Sequence, residues 1–133
     1  GNDESILVVD DAPNQRDLAV RMLQRLGYQV HTSESGENAV ACINNQVFDL
    51  VVLDMIMEPG MDGLETFKQM RQIAPSQKAI IASGYSESER VREMQRIGAG
   101  SYVKKPYTLE KIGLAVRKEL DRNNNARSTD RIS

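Results

Sequence analysis

Five residues able to do chemistry together stand far apart in the chain but in similar local settings. Asp10 and Asp11 follow Ile6-Leu7-Val8-Val9. Asp54 closes the run Phe48-Asp49-Leu50-Val51-Val52-Leu53. Ser83 follows Ala79-Ile80-Ile81-Ala82, and Lys105 comes just after Ser101-Tyr102-Val103. Each short apolar run has the character of a buried strand in a parallel sheet covered on both faces. An ionised aspartate is costly inside such a sheet. Asp54 is therefore expected at its strand's carboxyl end, on the rim where open α/β sheets bind ligands. Parallel strands present all their carboxyl ends on one edge, so three carboxylates, a hydroxyl and an ammonium are expected to converge there. Carboxylates that close resist ionisation unless a cation is present. Oxygen-only donors with few protein contacts suit Mg²⁺, which keeps several waters and favours phosphate as a co-ligand. Lys105 supplies a point charge for a phosphoryl oxygen, and Ser83 can donate one hydrogen bond to the same group. Aspartate is a covalent phosphoryl acceptor in known chemistry, with metal and lysine neutralising charge during in-line transfer. The implied chemistry is a Mg²⁺-dependent aspartyl phosphate at Asp54.

The elements that must position these residues are legible from periodicity. Pro13 suits the first turn of a helix, which carries Leu18, Met22, Leu23 and Leu26 on one face and closes at Gly27. Tyr28 to Thr32 reads as a short strand and Ser35-Gly36 as a turn. A helix over about 37–45 turns Ala39, Val40 and Ile43 inward. Past Asp54, Pro59-Gly60 and Gly63 mark a loop. Leu64, Phe67, Met70 and Ile73 then suit one helix face, stopped by Pro75. Ser86 with Glu89 is a capping-box pattern, opening a helix lined by Val91, Met94 and Ile97 that ends at Gly98. The last helix carries Leu109, Ile112, Val116 and Leu120. Strands and helices alternate five times, which predicts an α/β domain: a doubly wound, five-stranded parallel sheet with helices on both faces. The domain is expected over residues 1–122. Residues 123–133 lack periodicity and read as a polar tail or a truncated linker.

Composition narrows the function classes. The 133 residues fit one core. Basic and acidic residues number 17 and 19, and a net charge of −2 gives no reason to expect direct nucleic-acid binding. No apolar run approaches the roughly 20 residues of a membrane span, and the polar, acidic opening has no signal-peptide pattern. The single cysteine, Cys42, excludes an internal disulfide and fits a reducing, cytoplasmic setting.

Val8-Val9-Asp10-Asp11, Val52-Leu53-Asp54-Met55-Ile56-Met57, Asp62-Gly63, Ala82-Ser83-Gly84 and Tyr102-Val103-Lys104-Lys105-Pro106 together resemble the receiver domain of two-component response regulators. The resemblance covers about residues 5–121 and implies the flavodoxin-like receiver topology. It implies that Asp54 takes a phosphoryl group from a phosphohistidine on a histidine kinase or phosphotransfer domain. It further implies that Asp10 and Asp11 organise Mg²⁺, with Asp11, Asp54 and the Ile56 carbonyl as direct ligands. Lys105 matches the phosphate-binding lysine, and Ser83 with Tyr102 the switch pair. The face of the fourth helix, fifth strand and last helix would read out the change. A second receiver copy is a further implied partner, and the Lys105-Pro106 bond is expected to be cis. Glu58 lengthens the loop by one residue before Pro59, a departure from the family pattern. Bulky Ile56 and Tyr85 flank the site, where they would hinder attacking water.

Plainer roles stand beside these. Asp10-Asp11 could cap the first helix. Ser83 could be a turn residue and Tyr102 strand packing. Met55, Met57 and Met61 could be core or an adaptable partner surface. His31 reads as polar surface on an outer strand. Two other functions compete. A Mg²⁺-dependent phosphatase with an aspartyl nucleophile would want a second acid at position 56, which is Ile56. A flavin- or nucleotide-binding domain would want a phosphate cradle after the first strand, where Asp10-Asp11-Ala12-Pro13 has the wrong charge. The chain itself is expected to be no enzyme beyond self-dephosphorylation. Both a stand-alone receiver and a receiver of a hybrid sensor histidine kinase fit.

Overall fold

The computed structural model describes residues 3–57, 60–84 and 88–132, with 123–132 as backbone alone. Strands and helices alternate: β1 (Ser5–Val9), α1 (Pro13–Arg25), β2 (Gln29–Ser33), α2 (Gly36–Asn45), β3 (Leu50–Asp54), α3 (Gly63–Ile73), β4 (Ala79–Ser83), α4 (Glu89–Arg96), β5 (Tyr102–Lys104) and α5 (Leu109–Ile132). The five strands form one parallel sheet in the order β2-β1-β3-β4-β5. This is the doubly wound architecture that the alternation predicts.

Strand side chains alternate between faces, and here both faces are covered. Leu7, Val9, Val51, Leu53, Ala79 and Ile81 point to the side packed by Ala39 and Ile43 of α2, Phe67 and Met70 of α3, and Met94 of α4. Ile6, Val8, Leu50, Val52, Ile80 and Ala82 point to the side packed by Ala19 and Leu23 of α1 and Ile112, Val116 and Leu120 of α5. Every residue of β3 and β4 is buried, which is why these strands read as continuous apolar runs. The edge strand β2 instead shows exposed Gln29, His31 and Thr32. The chain winds one way from β1 to β2 and the other way to β3. A crevice therefore opens between β1 and β3 at their carboxyl ends.

Two local devices deliver α3 to that crevice. Asp62 Oδ1 accepts a hydrogen bond from Glu65 N at 3.0 Å, capping the helix. Gly63 N donates to Met55 O at 2.9 Å. A Cβ on Gly63 would lie 2.6 Å from the Asp54 carbonyl oxygen, so only glycine lets the helix start this close to the strand's end.

Several expectations need correction. Ile73 is 41% exposed, not inward. At roughly 100° per residue, three steps of three carry it about 180° round the axis from Leu64. Ser35-Gly36 is a helix start rather than a turn: Ser35 Oγ accepts from Asn38 N at 3.0 Å and α2 begins at Gly36. The fourth helix begins at Glu89 behind Ser88, whose Oγ accepts from Val91 N; the proposed cap Ser86 lies outside the described residues. The helical backbone of α5 runs to Ile132, through the residues read as a polar tail or truncated linker. Extending a formed helix fixes one residue per bond gained, so weak formers can follow an established turn. Gly27 and Gly98 have φ of 93° and 122°, the left-handed conformation expected just past α1 and α4.

Candidate functional site

The ends of β1, β3, β4 and β5 meet over the crevice. Asp10 follows β1 and is buried. Its Oδ1 accepts from Ala12 N at 2.9 Å, and its carbonyl accepts from Arg16 Nη1 at 2.8 Å. The α1 N-cap, Ala12, has no side-chain capping bond, so Asp10 is pinned to the loop rather than spent on the helix end. Asp54 is the last residue of β3 and is 6% exposed. Lys105 leaves β5 with its amide donating to Ser83 O at 2.7 Å, which ties β5 to β4. The Lys105-Pro106 peptide is cis. Lys105 Nζ then reaches back over the crevice, 2.6 Å from Asp10 Oδ2 and 3.3 Å from Asp54 Oδ1.

Exposed Asp11 completes the acidic group. One carboxylate oxygen from each of Asp10, Asp11 and Asp54 lies within 4.8 Å of the others. Burial pushes the Asp54 carboxyl up to about 6 from its ordinary 3.8. The Lys105 ammonium opposes that shift, while the charges of Asp10 and Asp11 add to it. Lys105 thus contacts both buried acids, and the exposed Asp11 stands beside them. The donor set is all oxygen and carries excess negative charge, which fits a hard divalent cation of the Mg²⁺ type. Burial also raises Tyr107, whose ring centroid lies 6.0 Å from Lys105 Nζ.

Beside the acids lies a cleft of about 400 Å³ lined by Gln15, Asp54, Ile56, Ser83, Gly84, Lys105 and Pro106. The structure therefore brings Asp10, Asp11, Asp54, Ser83, Ile56 and Lys105 together. Ser83 is buried and Ile56 is 47% exposed at the cleft's mouth. Tyr102 stands apart from them. It is half-buried against the α2–α4 side of the core and lines a separate groove with Lys104, Lys111, Leu114 and Lys118. Met55 and Met57 are core residues. Glu58 and Tyr85 lie outside the described residues. Gln15 was not singled out from sequence. Its signal is positional: α1 starts at Pro13, so its first turn sits on the rim that Asp10 and Asp11 occupy.

A family model described as "Response regulator receiver domain" matches residues 6–117. Sporulation initiation phosphotransferase F of Bacillus subtilis is 35% identical over 122 residues, covering 92% of this chain and 98% of that protein. Transcriptional regulatory protein ZraR of Klebsiella oxytoca is 33% identical over 120 residues, covering 90% of this chain but 27% of that longer protein. The response regulator TrrA of Thermotoga maritima, solved in complex with Mg²⁺-BeF, superposes with a TM-score of 0.77 at 36% identity. That match covers 86% of this chain and 97% of TrrA.

Proposed function

Because this chain belongs to the response regulator receiver family, we propose that Asp54 is the phosphoacceptor through which it acts in His-to-Asp phosphorelay signalling. One observation carries this assignment. Asp54 is the cleft carboxylate that Lys105 already contacts, and two further acids stand within 4.8 Å. The donor is a phosphohistidine on a histidine kinase or phosphotransfer domain. An Asp54 carboxylate oxygen forms the new bond to phosphorus, the P–N bond breaks, and its electron pair returns to the imidazole.

Asp10, Asp11, Asp54 and the Ile56 carbonyl are the groups that would hold Mg²⁺. When bound, the ion neutralises charge on the acids and on the transferred phosphoryl oxygens. Lys105 contacts both Asp10 and Asp54, opposes the rise that burial imposes on the Asp54 carboxyl, and has the reach to follow the phosphoryl group when it arrives. Ser83, buried at the cleft wall, donates to another phosphoryl oxygen. Ser83 and Tyr102 form the switch pair, linking the cleft to the face of α4, β5 and α5 where a partner, including a second receiver, reads the state. The setting is cytoplasmic, in keeping with a free Cys42. Among the described residues no helix is long and apolar enough to cross a membrane. Position 56 offers no second acid, so an aspartyl-nucleophile phosphatase draws no support.

Incubation with acetyl phosphate and Mg²⁺, followed by intact mass, tests the chemistry. The parent is expected to gain one phosphoryl group. Asp54→Asn, or the parent with the cation chelated, is expected to gain none. A gain of equal size in Asp54→Asn, or none in the folded parent, would overturn the assignment.

A further inference from the structure

Among the described residues, two buried side-chain polar atoms lack a hydrogen-bond partner, Ser5 Oγ and Gln15 Oε1. Ser5 opens β1, at the end of the sheet opposite the cleft. Gln15 lies in the first turn of α1 and lines the cleft with Asp54, Ser83 and Lys105. A sealed acceptor without a donor costs folding free energy. Such groups are uncommon in folded proteins, and at a site they point to a role that the resting state leaves unfilled.

Building on Asp54 as phosphoacceptor, we propose that Gln15 orients the water that hydrolyses the aspartyl phosphate, and so sets the lifetime of the phosphorylated state. The chemistry of the cleft wall singles it out. A phosphoryl dianion is itself rich in acceptors, and Lys105 and Ser83 are its donors. Ile56, Gly84 and Pro106 offer no polar side-chain atom. In the acyl phosphate Asp54 loses its charge and keeps one carbonyl oxygen, bonded to the same carbon as the leaving oxygen. An attacking water must place its lone pair toward phosphorus and its hydrogens elsewhere, and among the described residues lining the cleft the Gln15 carbonyl is the buried side-chain acceptor with no donor of its own to receive one.

The terminal torsion of glutamine is broad and soft, so turning Oε1 from its sealed position into the cleft costs little. A glutamine amide orients the attacking water in the same way in GTP hydrolysis. The amide is too weak a base to take a proton, so Gln15 positions the water without deprotonating it. The water oxygen forms a bond to phosphorus as the bond from phosphorus to the Asp54 oxygen breaks. The electron pair returns to the carboxylate, and the second water proton leaves on the product dihydrogen phosphate.

The test uses the full chain as Gln15→Leu and as Gln15→Met, whose length matches glutamine. Each is phosphorylated with acetyl phosphate and Mg²⁺, freed of donor, and followed by intact mass as the phosphoryl group is lost. Both variants are expected to lose it about tenfold more slowly than the parent, roughly what one well-placed hydrogen bond contributes. Without metal or phosphate, Gln15→Met is expected to melt a few degrees higher, because the sealed acceptor is gone. That second readout is independent of the cation and of turnover. Phosphoryl loss as fast as in the parent from variants that accept the group would overturn the proposal. So would slower acceptance with an unchanged lifetime, which would place the amide on the phosphoryl group instead. Failure of the parent itself to accept the group would count against Asp54 and would be seen before any variant is compared.

Discussion

Lys105→Met is expected to lower the stability of the metal-free protein by ~3–5 kcal/mol near pH 8, the usual cost of stripping one partner from a buried ion pair. Lys105 Nζ lies 2.6 Å from Asp10 and 3.3 Å from Asp54, and its side chain is only 12% exposed. Methionine keeps most of the stem and its packing but leaves Asp10 and Asp54 facing each other with no cation between them. The loss depends on pH in a definite direction. Lys105 is what holds the Asp54 carboxyl down against burial and its acidic neighbours. Without it, Asp54 rises beyond about 6, and its folded form takes up a proton that the unfolded form releases. The deficit should therefore shrink as pH falls through that range. Added Mg²⁺ should recover part of it by binding the folded state alone. Urea unfolding near pH 8 and near pH 6, with and without Mg²⁺, measures all three effects. An unchanged midpoint near pH 8 would mean that Lys105 is not the counter-charge its distances indicate. Phosphoryl acceptance from acetyl phosphate should also fall by about a hundredfold or more, as when one charge-stabilising donor is removed from an active site.

Asp54→Asn should move stability the other way. Burial raises the Asp54 carboxyl from 3.8 to about 6, so above that pH the folded state holds an ion it disfavours. The folded state binds its proton more tightly than the unfolded chain does. Stability carried by this group is therefore highest at low pH and declines as pH rises through the window between the two values. Two pH units correspond to at most ~3 kcal/mol. Asparagine keeps the shape and the acceptor facing Lys105 but removes the charge. The metal-free variant should be more stable than the parent by ~2–3 kcal/mol near pH 8, with the advantage fading below about pH 6 and gone near pH 4. Equal or lower stability of the variant near pH 8 would contradict the electrostatic account. Together, these two substitutions would measure what the site costs in stability: an excess of buried negative charge that folding alone would discard.

Much of the fold, and the convergence of most of the candidate-site residues on one rim, were legible in the sequence. Strands buried on both faces must be apolar throughout, so β1, β3 and β4 announce themselves, and the first polar residue after each marks the rim. That rule alone placed Asp10, Asp54 and Ser83 on one edge although they are scattered along the chain. Other features follow from weaker signals. Ile73 shares its spacing with three core residues, yet the helical period turns it to solvent. Ser86 and Ser88 both precede an acidic first turn, and sequence does not decide between two caps two residues apart. Asn-rich residues after 122 argue against helix, but a helix already under way extends through them. Gln15 was missed because a glutamine on the first turn of an amphipathic helix looks like solvated surface. Its meaning appears only when α1 is laid beside the end of β3.

The most direct measurement is chemical mapping of the phosphorylated residue. After phosphorylation with acetyl phosphate and Mg²⁺, borohydride reduces an aspartyl phosphate to homoserine, and peptide mass spectrometry then locates the change. Homoserine is expected in place of Asp54 in the peptide carrying β3, with Asp10 and Asp11 intact. Homoserine at either of those residues, or a stable phosphoryl group on His31 or a hydroxyl, would contradict the assignment of Asp54.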